Sequence, residues 1–95
     1  YPNPFLINDY NQIGDGGYVR FVYSNPNNQL GRIDIFDFAM DRVIQLGNSY
    51  IVNNLESEVV WNGKNEYGDK VSNGVYFCRL SLNGEYYWTK LAVVN

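Results

Sequence analysis

Short segments in which apolar and polar side chains alternate run through most of this chain. A clear example is 18–23, where Val19, Phe21 and Tyr23 fall on one face and the residues between them fall on the other. A period of two is typical of a strand with one buried face, and no segment sustains a helical period. The pattern predicts seven strands, at 18–23, 30–38, 42–46, 50–52, 57–61, 75–82 and 85–94.

Turn signals separate the predicted strands. Asn83-Gly84 stands between the last two strands and predicts a type I′ hairpin turn, because both central residues of that turn need positive φ. Clusters of Gly, Asn and Pro at 14–17 and 25–28 mark earlier breaks. Short strands at even spacing indicate an all-β fold, an immunoglobulin-like antiparallel β-sandwich of about seven strands. We expect a single domain over residues 1–95, since no repeat or second domain is visible.

The alternation also predicts which side chains enter the core. Tyr76 and Cys78 share one face of 75–82, and Val59 shares a face with Trp61 in the preceding strand. We therefore expect Trp61 to fill the space between the sheets rather than to stack on a sugar. Cys78 is expected to be a small core residue rather than a nucleophile, because the neighbouring Arg79 points to the opposite face.

The composition narrows the possible functions. The net charge of −3 and the pI near 4.6 argue against binding to nucleic acid or to an anionic membrane surface. The absence of histidine removes the usual general base and the usual metal ligand, so we expect no enzyme activity, no cofactor and no metal. With Cys78 as the one cysteine, no internal disulfide forms, and no apolar run is long enough to span a bilayer.

The polar segment between Trp61 and 75–82 combines several oxygen-bearing side chains, which suggests calcium as one alternative. These side chains are Asn62, Asn65, Glu66 and Asp69. Their spacing does not fit the EF-hand pattern. Turn chemistry accounts for the same residue types, because Asn and Asp form Asx turns and tolerate positive φ.

The glycines of this segment, and two aspartates earlier in the chain, can also be interpreted either as a functional site or as turn residues. Gly63, Gly68 and Gly74 are not followed by the helix and the Lys-Ser/Thr pair of a phosphate-binding loop, so we expect backbone turns with positive φ. Asp37 and Asp41 resemble the paired carboxylates of a glycosidase. Because they flank a tight turn, we expect Asp37 to accept backbone N–H bonds instead.

Several motifs occur in a fixed order along nearly the whole chain. They are Tyr1-Pro2-Asn3-Pro4-Phe5, Ile33-Asp34-Ile35-Phe36-Asp37, Trp61-Asn62-Gly63, Gly68, Asn73-Gly74-Val75-Tyr76-Phe77 and Lys90-Leu91-Ala92-Val93-Val94. Together they resemble the C-terminal sorting domains of type IX secretion cargo (type A, the Por secretion tail) and the related Ig-like domain of flagellar hook-capping proteins. Asn62 departs from the Asp that usually follows the Trp, which weakens any metal site at that corner.

The resemblance implies a non-catalytic C-terminal Ig-like domain that directs secretion and cell-surface attachment of a larger protein. The outer-membrane translocon recognises such domains, a sortase-like peptidase commonly removes them, and the cargo is linked to surface lipopolysaccharide. The implied location is the cell surface or exterior of a Gram-negative bacterium. The first alternative is a hook-capping-type structural module for protein–protein contacts or self-assembly. The second is a carbohydrate-binding accessory module in which Tyr86 and Trp88 stack on sugars.

The last hairpin predicts an exposed aromatic and cationic surface. If Leu91 and Val93 face the core, alternate residues of the last strand face outwards beside alternate residues of its partner. Such patches tend to mark interaction sites, so we expect the translocon or a neighbouring domain of the parent protein to bind here. The alternative is that the segment 8–14 covers the patch. The expected partner-binding residues are Phe77, Arg79, Tyr86, Trp88 and Lys90.

Overall fold

The computed structural model describes residues 5–8, 12–13, 19–25, 29–47, 50–51 and 56–93, and only the backbone at 5–8, 12–13 and 50–51. Within these ranges the chain forms nine strands joined by turns, and no helix. The strands are β1 (Phe5–Asn8), β2 (Gln12–Ile13), β3 (Val19–Ser24), β4 (Gly31–Phe36), β5 (Arg42–Leu46), β6 (Tyr50–Ile51), β7 (Glu56–Trp61), β8 (Gly74–Leu82) and β9 (Glu85–Val93).

The strands form two sheets. One has the order β1-β3-β7-β6 and the other the order β2-β9-β8-β4-β5. The first sheet corresponds to the ABED sheet of an immunoglobulin domain, in which β1, β3, β7 and β6 are strands A, B, E and D. The second contains the GFC sheet, in which β9, β8 and β4 are strands G, F and C. It is extended by β2 at one edge and by β5 at the other. The predicted immunoglobulin-like β-sandwich is confirmed.

All seven predicted strands are present, with small shifts at their ends, but β1 and β2 were not predicted. We predicted a loop at 8–14 because neither β1 nor β2 shows alternation between apolar and polar side chains. Asn8 instead ends β1, in the other sheet, and Gln12 pairs with Ala92 at the end of β9. That pairing is parallel, whereas only antiparallel pairs were expected. Residues 9–11 and 14, and the opening motif before Phe5, lie outside the described residues.

The core lies between the two sheets and is built from the inward positions of alternating strands. Burial of each large apolar side chain contributes roughly 1.5–3 kcal/mol, so this cluster supplies most of the driving force for folding. The inward assignments of Trp61, Tyr76 and Cys78 are confirmed. The buried cluster consists of Val19, Phe21, Tyr23, Ile33, Ile35, Val59, Trp61, Val71, Tyr76, Cys78, Leu80, Leu91 and Val93.

Two buried rings tie the core to the segment between β7 and β8. The Tyr76 hydroxyl donates a hydrogen bond to the Ser72 carbonyl at 2.6 Å, and Trp61 Nε1 donates to the Lys64 carbonyl at 2.9 Å. The rings meet edge to face, with centroids 6.0 Å apart. Tyr76 lies two residues before Cys78, as in the tyrosine corner of immunoglobulin sandwiches. Burial, and then the charge of Asp37, raise the pKa of Tyr76, so its hydroxyl remains a donor at neutral pH.

The turn between β8 and β9 has the geometry that the sequence predicts. Asn83 has φ 52° and Gly84 has φ 77°, as the central residues of a type I′ turn require. This two-residue turn sets the register of the hairpin. Arg79 therefore lies opposite Trp88, and Phe77 lies opposite Lys90.

Gly31, at the start of β4, allows a close approach between the two sheets. A Cβ at this position would lie 2.5 Å from Tyr23 Oη and 2.8 Å from Cζ of the same ring. The Tyr23 side chain is fully buried, and its hydroxyl has no hydrogen-bond partner among the described residues. The ring therefore occupies the space that a side chain at Gly31 would need.

We expect Gly31→Ala to lower the free energy of unfolding by about 1–3 kcal/mol, because the buried Tyr23 ring must shift. Urea denaturation monitored by fluorescence measures the change. Tyr23→Phe alone removes a hydroxyl without a partner and is expected to be close to neutral. In the double variant the cost of Gly31→Ala should shrink, but not vanish, because the contact with the ring carbon remains. Equal costs in both backgrounds would contradict the contact.

Candidate functional site

The predicted partner-binding residues lie together on the outer side of the five-stranded sheet. Arg79 pairs with Trp88, and Phe77 pairs with Lys90, so the side chains of β8 and β9 stand next to each other. Strand β4 continues the same surface on the other side of β8. We call this surface the arginine–aromatic face. Its members are Arg32, Asp34, Phe36, Arg42, Gln45, Phe77, Arg79, Tyr86, Trp88 and Lys90.

Arg79 is the centre of the arginine–aromatic face. Its guanidinium carbon lies 4.8 Å from the ring centroid of Tyr86, 5.1 Å from that of Phe36 and 5.7 Å from that of Trp88. Each distance is within the range of a cation–π contact. The rings of Phe36 and Trp88 also meet, at a centroid distance of 5.7 Å. The cation therefore holds three aromatic side chains in one arrangement.

Asp34 lies beneath this group, with a side chain only 1% exposed although it points away from the core. Arg79 Nη2 donates a hydrogen bond to Oδ2 of Asp34 at 3.1 Å, and Gln45 Nε2 donates to Oδ1 at 3.1 Å. A buried carboxylate needs such partners, because it has lost its hydration. The pair thus fixes Arg79 from below while the rings surround it from the sides.

Two further arginines approach the same carboxylate more loosely. Arg32 Nε lies 3.4 Å from Oδ2 of Asp34, and Arg42 Nη1 lies 3.9 Å from Oδ1. The side chains of Arg32 and Arg42 are 49% and 53% exposed, and ion pairs at such sites contribute little. One carboxylate is therefore shared among three guanidinium groups, which leaves positive charge in excess.

The charge of this face is opposite to that of the chain. It carries four cationic side chains and one carboxylate, a formal charge of +3, on a chain whose total is −3. The total charge therefore does not describe this surface, and the argument from total charge against nucleic acid does not apply to it. The cationic members are Arg32, Arg42, Arg79 and Lys90.

Large apolar groups of the face are open to solvent. Tyr86 is 61% exposed and Trp88 is 43% exposed. Phe38, in the turn after β4, is exposed and stacks on Phe77 with ring centroids 5.9 Å apart. Two shallow open grooves border the face, of about 300 Å³ beside Arg42 and of about 270 Å³ beside Tyr86. The site is a broad surface rather than an enclosed pocket.

Sequence reasoning found the β8 and β9 half of the face but missed the β4 and β5 half. The alternation of 30–38 already set Arg32 and Asp34 opposite Ile33, which was a sufficient signal that they face outwards. It did not show that β4 pairs with β8, which brings Asp34 opposite Arg79. It also did not show that a charged residue on the outer side would be buried.

The segment between β7 and β8 uses its polar side chains to hold turns. Asn62 Oδ1 accepts a bond from the Lys64 N–H at 3.2 Å, and Asn65 Oδ1 accepts bonds from the N–H groups of Tyr67 at 2.9 Å and Asp69 at 3.0 Å. This geometry is the predicted turn chemistry. In the described ranges, no group of three or more His, Cys, Asp or Glu side chains is placed to hold a metal ion. The glycines Gly63, Gly68 and Gly74 have the expected positive φ.

The other residues considered for catalysis, Asp37 and Cys78, support the fold instead. Asp37 Oδ1 accepts a bond from the Asp41 N–H at 2.9 Å across the turn between β4 and β5, as predicted. Cys78 is fully buried, and burial raises the pKa of its thiol well above the usual range, so the reactive thiolate is disfavoured. Its neighbour Arg79 points to the opposite side of the sheet.

Comparison with known proteins adds evidence on the fold. No protein-family model matches the chain, and no curated protein matches it. A solved structure with a similar fold is the Pseudomonas fluorescens alkylpurine DNA glycosylase AlkC bound to DNA containing an abasic site analog, with a TM-score of 0.52 and 10% sequence identity. The match covers 96% of this chain and 29% of that chain, so this chain spans under a third of that protein's length. The similarity shows the fold alone. Within the described residues, no helix is long and apolar enough to cross a membrane.

We expect Asp34→Asn to lower the free energy of unfolding by about 2–4 kcal/mol, because it leaves Arg79 partly buried without a counter-charge. Urea denaturation at neutral pH measures the loss. The matched control is Arg42→Gln, which removes a long, exposed ion pair to the same carboxylate and should cost less than about 1 kcal/mol. Similar costs for the two variants would contradict the central role of Asp34.

Proposed function

We propose that this chain is a non-catalytic, C-terminal immunoglobulin-like domain that directs secretion and cell-surface attachment of a larger protein through the type IX system of a Gram-negative bacterium. In this proposal the translocon, or a neighbouring domain of the parent protein, binds the arginine–aromatic face. The observation that carries the proposal is the cluster of exposed Tyr86 and Trp88 around a fixed Arg79. The ordered motifs that resemble the sorting-domain family support it.

The chemistry of the face suits recognition of a protein. Trp, Tyr and Arg are the residues that most often dominate the binding energy of protein interfaces. Here Arg79 is already held by Asp34 and by three rings, so little side-chain freedom remains to be lost when a partner binds. A surface that is ordered before binding gives higher affinity for the same contacts.

The other ionisable groups support a role in binding rather than in chemistry. The chain has no histidine. Asp34 and Asp37 accept hydrogen bonds that hold the face and a turn, and the Cys78 thiol is buried. These groups act as structural members of the sandwich.

Carbohydrate binding is the second candidate function, and the exposure of Tyr86 and Trp88 favours it. Flat rings open to solvent can stack on the apolar side of a sugar. A hook-capping-type structural module would use the same face for protein contacts, so the export experiment below separates it from a sorting domain.

DNA is a weaker candidate ligand for this face. The glycosylase with a similar fold is bound to DNA, and exposed rings beside cations are features of surfaces that bind single strands. However, the chain outside the face is strongly acidic and repels any polyanion that extends past it. We therefore propose a protein partner for this face rather than DNA.

Export of a reporter tests the proposed function. Residues 1–95 fused to the C-terminus of a fluorescent protein with a Sec signal should reach the cell surface or medium of a bacterium that has the type IX system. The same fusion in a strain without the translocon should remain in the periplasm. Retention in the periplasm of both strains would exclude a sorting role.

A variant tests the proposed surface. Trp88→Ala should reduce export several-fold and lower the melting temperature less than a core substitution does, since the ring is 43% exposed and lies outside the core. Val60→Ala is the control, because Val60 is an exposed apolar residue on β7, in the other sheet. Normal export by Trp88→Ala, or equal losses in both variants, would remove this surface from the proposal.

A further inference from the structure

The outer edge of β5 offers backbone groups for strand pairing. Among the described residues, β5 pairs with β4 on one side and with no strand on the other. The N–H and C=O groups of an edge strand are available to an extended polypeptide, which can add to the sheet as a further strand. Only a polypeptide offers the matching row of backbone donors and acceptors, so this edge selects for a protein partner.

The inward side chains of β5 are incompletely covered. Ile44 and Leu46 pack against the core but stay partly exposed, whereas Ile35 and Ile33, their partners on β4, are fully buried. The two strands share the same core, so the difference arises because β5 is the last strand of its sheet. Apolar side chains on an added strand would complete the burial of Ile44 and Leu46.

The outward side of this edge carries the excess positive charge. Arg42 lies on β5 and Arg32 on β4, each about half exposed and only loosely paired with Asp34. Gly47 follows β5, and a Cβ there would meet no atom within 4 Å, so the space at this end of the strand is open. A β-bulge in β5 opposite Ile35 and Phe36 sets Arg42 on the outward side and Ile44 on the inward side. Arg42 pairs with Phe36, four residues along β4 from Arg32, which corresponds to roughly 13–14 Å in an extended chain.

We propose that β5 binds an extended, acidic segment of a partner protein as an additional strand. In this arrangement, acidic side chains at positions i and i+4 of the segment face Arg42 and Arg32. An added strand that follows the β5 bulge, as β4 does, places apolar side chains at i+1 and i+3 on the other side, over Ile44 and Leu46. The acidic segment would belong to the partner in the function proposed above. Only the identity of the partner rests on that function, because strand addition follows from the open edge of β5.

Peptide binding to the whole chain tests the inference. The probe is a fluorescently labelled peptide in which Asp-Val-Thr-Val-Asp is flanked by Gly-Ser. The control peptide contains Asp-Asp-Thr-Val-Val, with the same composition but without the alternation. We expect the first peptide to bind more tightly by at least about fivefold, with affinity that falls as salt rises. Binding should slow hydrogen exchange at the backbone amides of β5.

Charge reversal identifies the contact. Arg42→Glu should weaken binding of the alternating peptide by about fivefold or more, because it replaces an attraction with a repulsion. Lys64→Glu makes the same change of charge at an exposed residue of the segment between β7 and β8, outside the face, and should leave affinity unchanged. Thermal melts of both variants confirm that the folded state is retained. If Arg42→Glu does not fold, Arg32→Glu takes its place.

Three results would overturn the inference: equal affinity for the two peptides, binding without protection of β5 amides, or binding of an anionic oligosaccharide such as an alginate oligomer in place of the peptide. The outcomes also separate this inference from the proposed function. Peptide binding with β5 protection, but no export of the reporter, keeps the strand-addition site and removes the sorting role. Export that survives Arg42→Glu but requires Trp88 keeps the sorting role and removes β5 from it, whereas the peptide experiment decides whether β5 binds a strand.

Discussion

Asp34 has lost its hydration on the outer side of the five-stranded sheet, and the guanidinium of Arg79 replaces the lost water. A buried carboxylate is tolerated only with such partners. Moving Arg79 away would leave Asp34 unpaired at a large cost in free energy, so the ion pair fixes the position of Arg79. The rings of Phe36, Tyr86 and Trp88 then pack around a cation that this ion pair holds in position. One ion pair thus determines the arrangement of an exposed aromatic surface.

The strict alternation of the strands separates this surface from the core. On β8, Cys78 faces inwards among apolar groups and the adjacent Arg79 faces outwards, with only the backbone between them. Exposed residues such as Tyr86 therefore contribute little to the core, and their substitution mainly changes what the surface can bind. Asp34 differs, because its burial couples the outer surface to stability.

The parts of this structure that depend on local pattern could be predicted from sequence. Alternation and turn signals located seven of the nine described strands and the inward side of Trp61, and Asn83-Gly84 located the hairpin turn. The burial of Asp34 could not be predicted, since it depends on Arg79, 45 residues away in the chain. The strands β1 and β2 were also beyond prediction, because they are defined by their pairing with β3 and β9 and not by a repeat.

Positive charge at the edge of a sheet has two effects that reinforce each other. If the β5 edges of two copies of this chain paired, Arg42 and Arg32 of one copy would approach those of the other, and this repulsion opposes self-association through that edge. An acidic strand meets the same residues as an attraction. The arginines that are in excess over Asp34 therefore both protect an open edge from edge-to-edge aggregation and select the kind of strand that can pair with it.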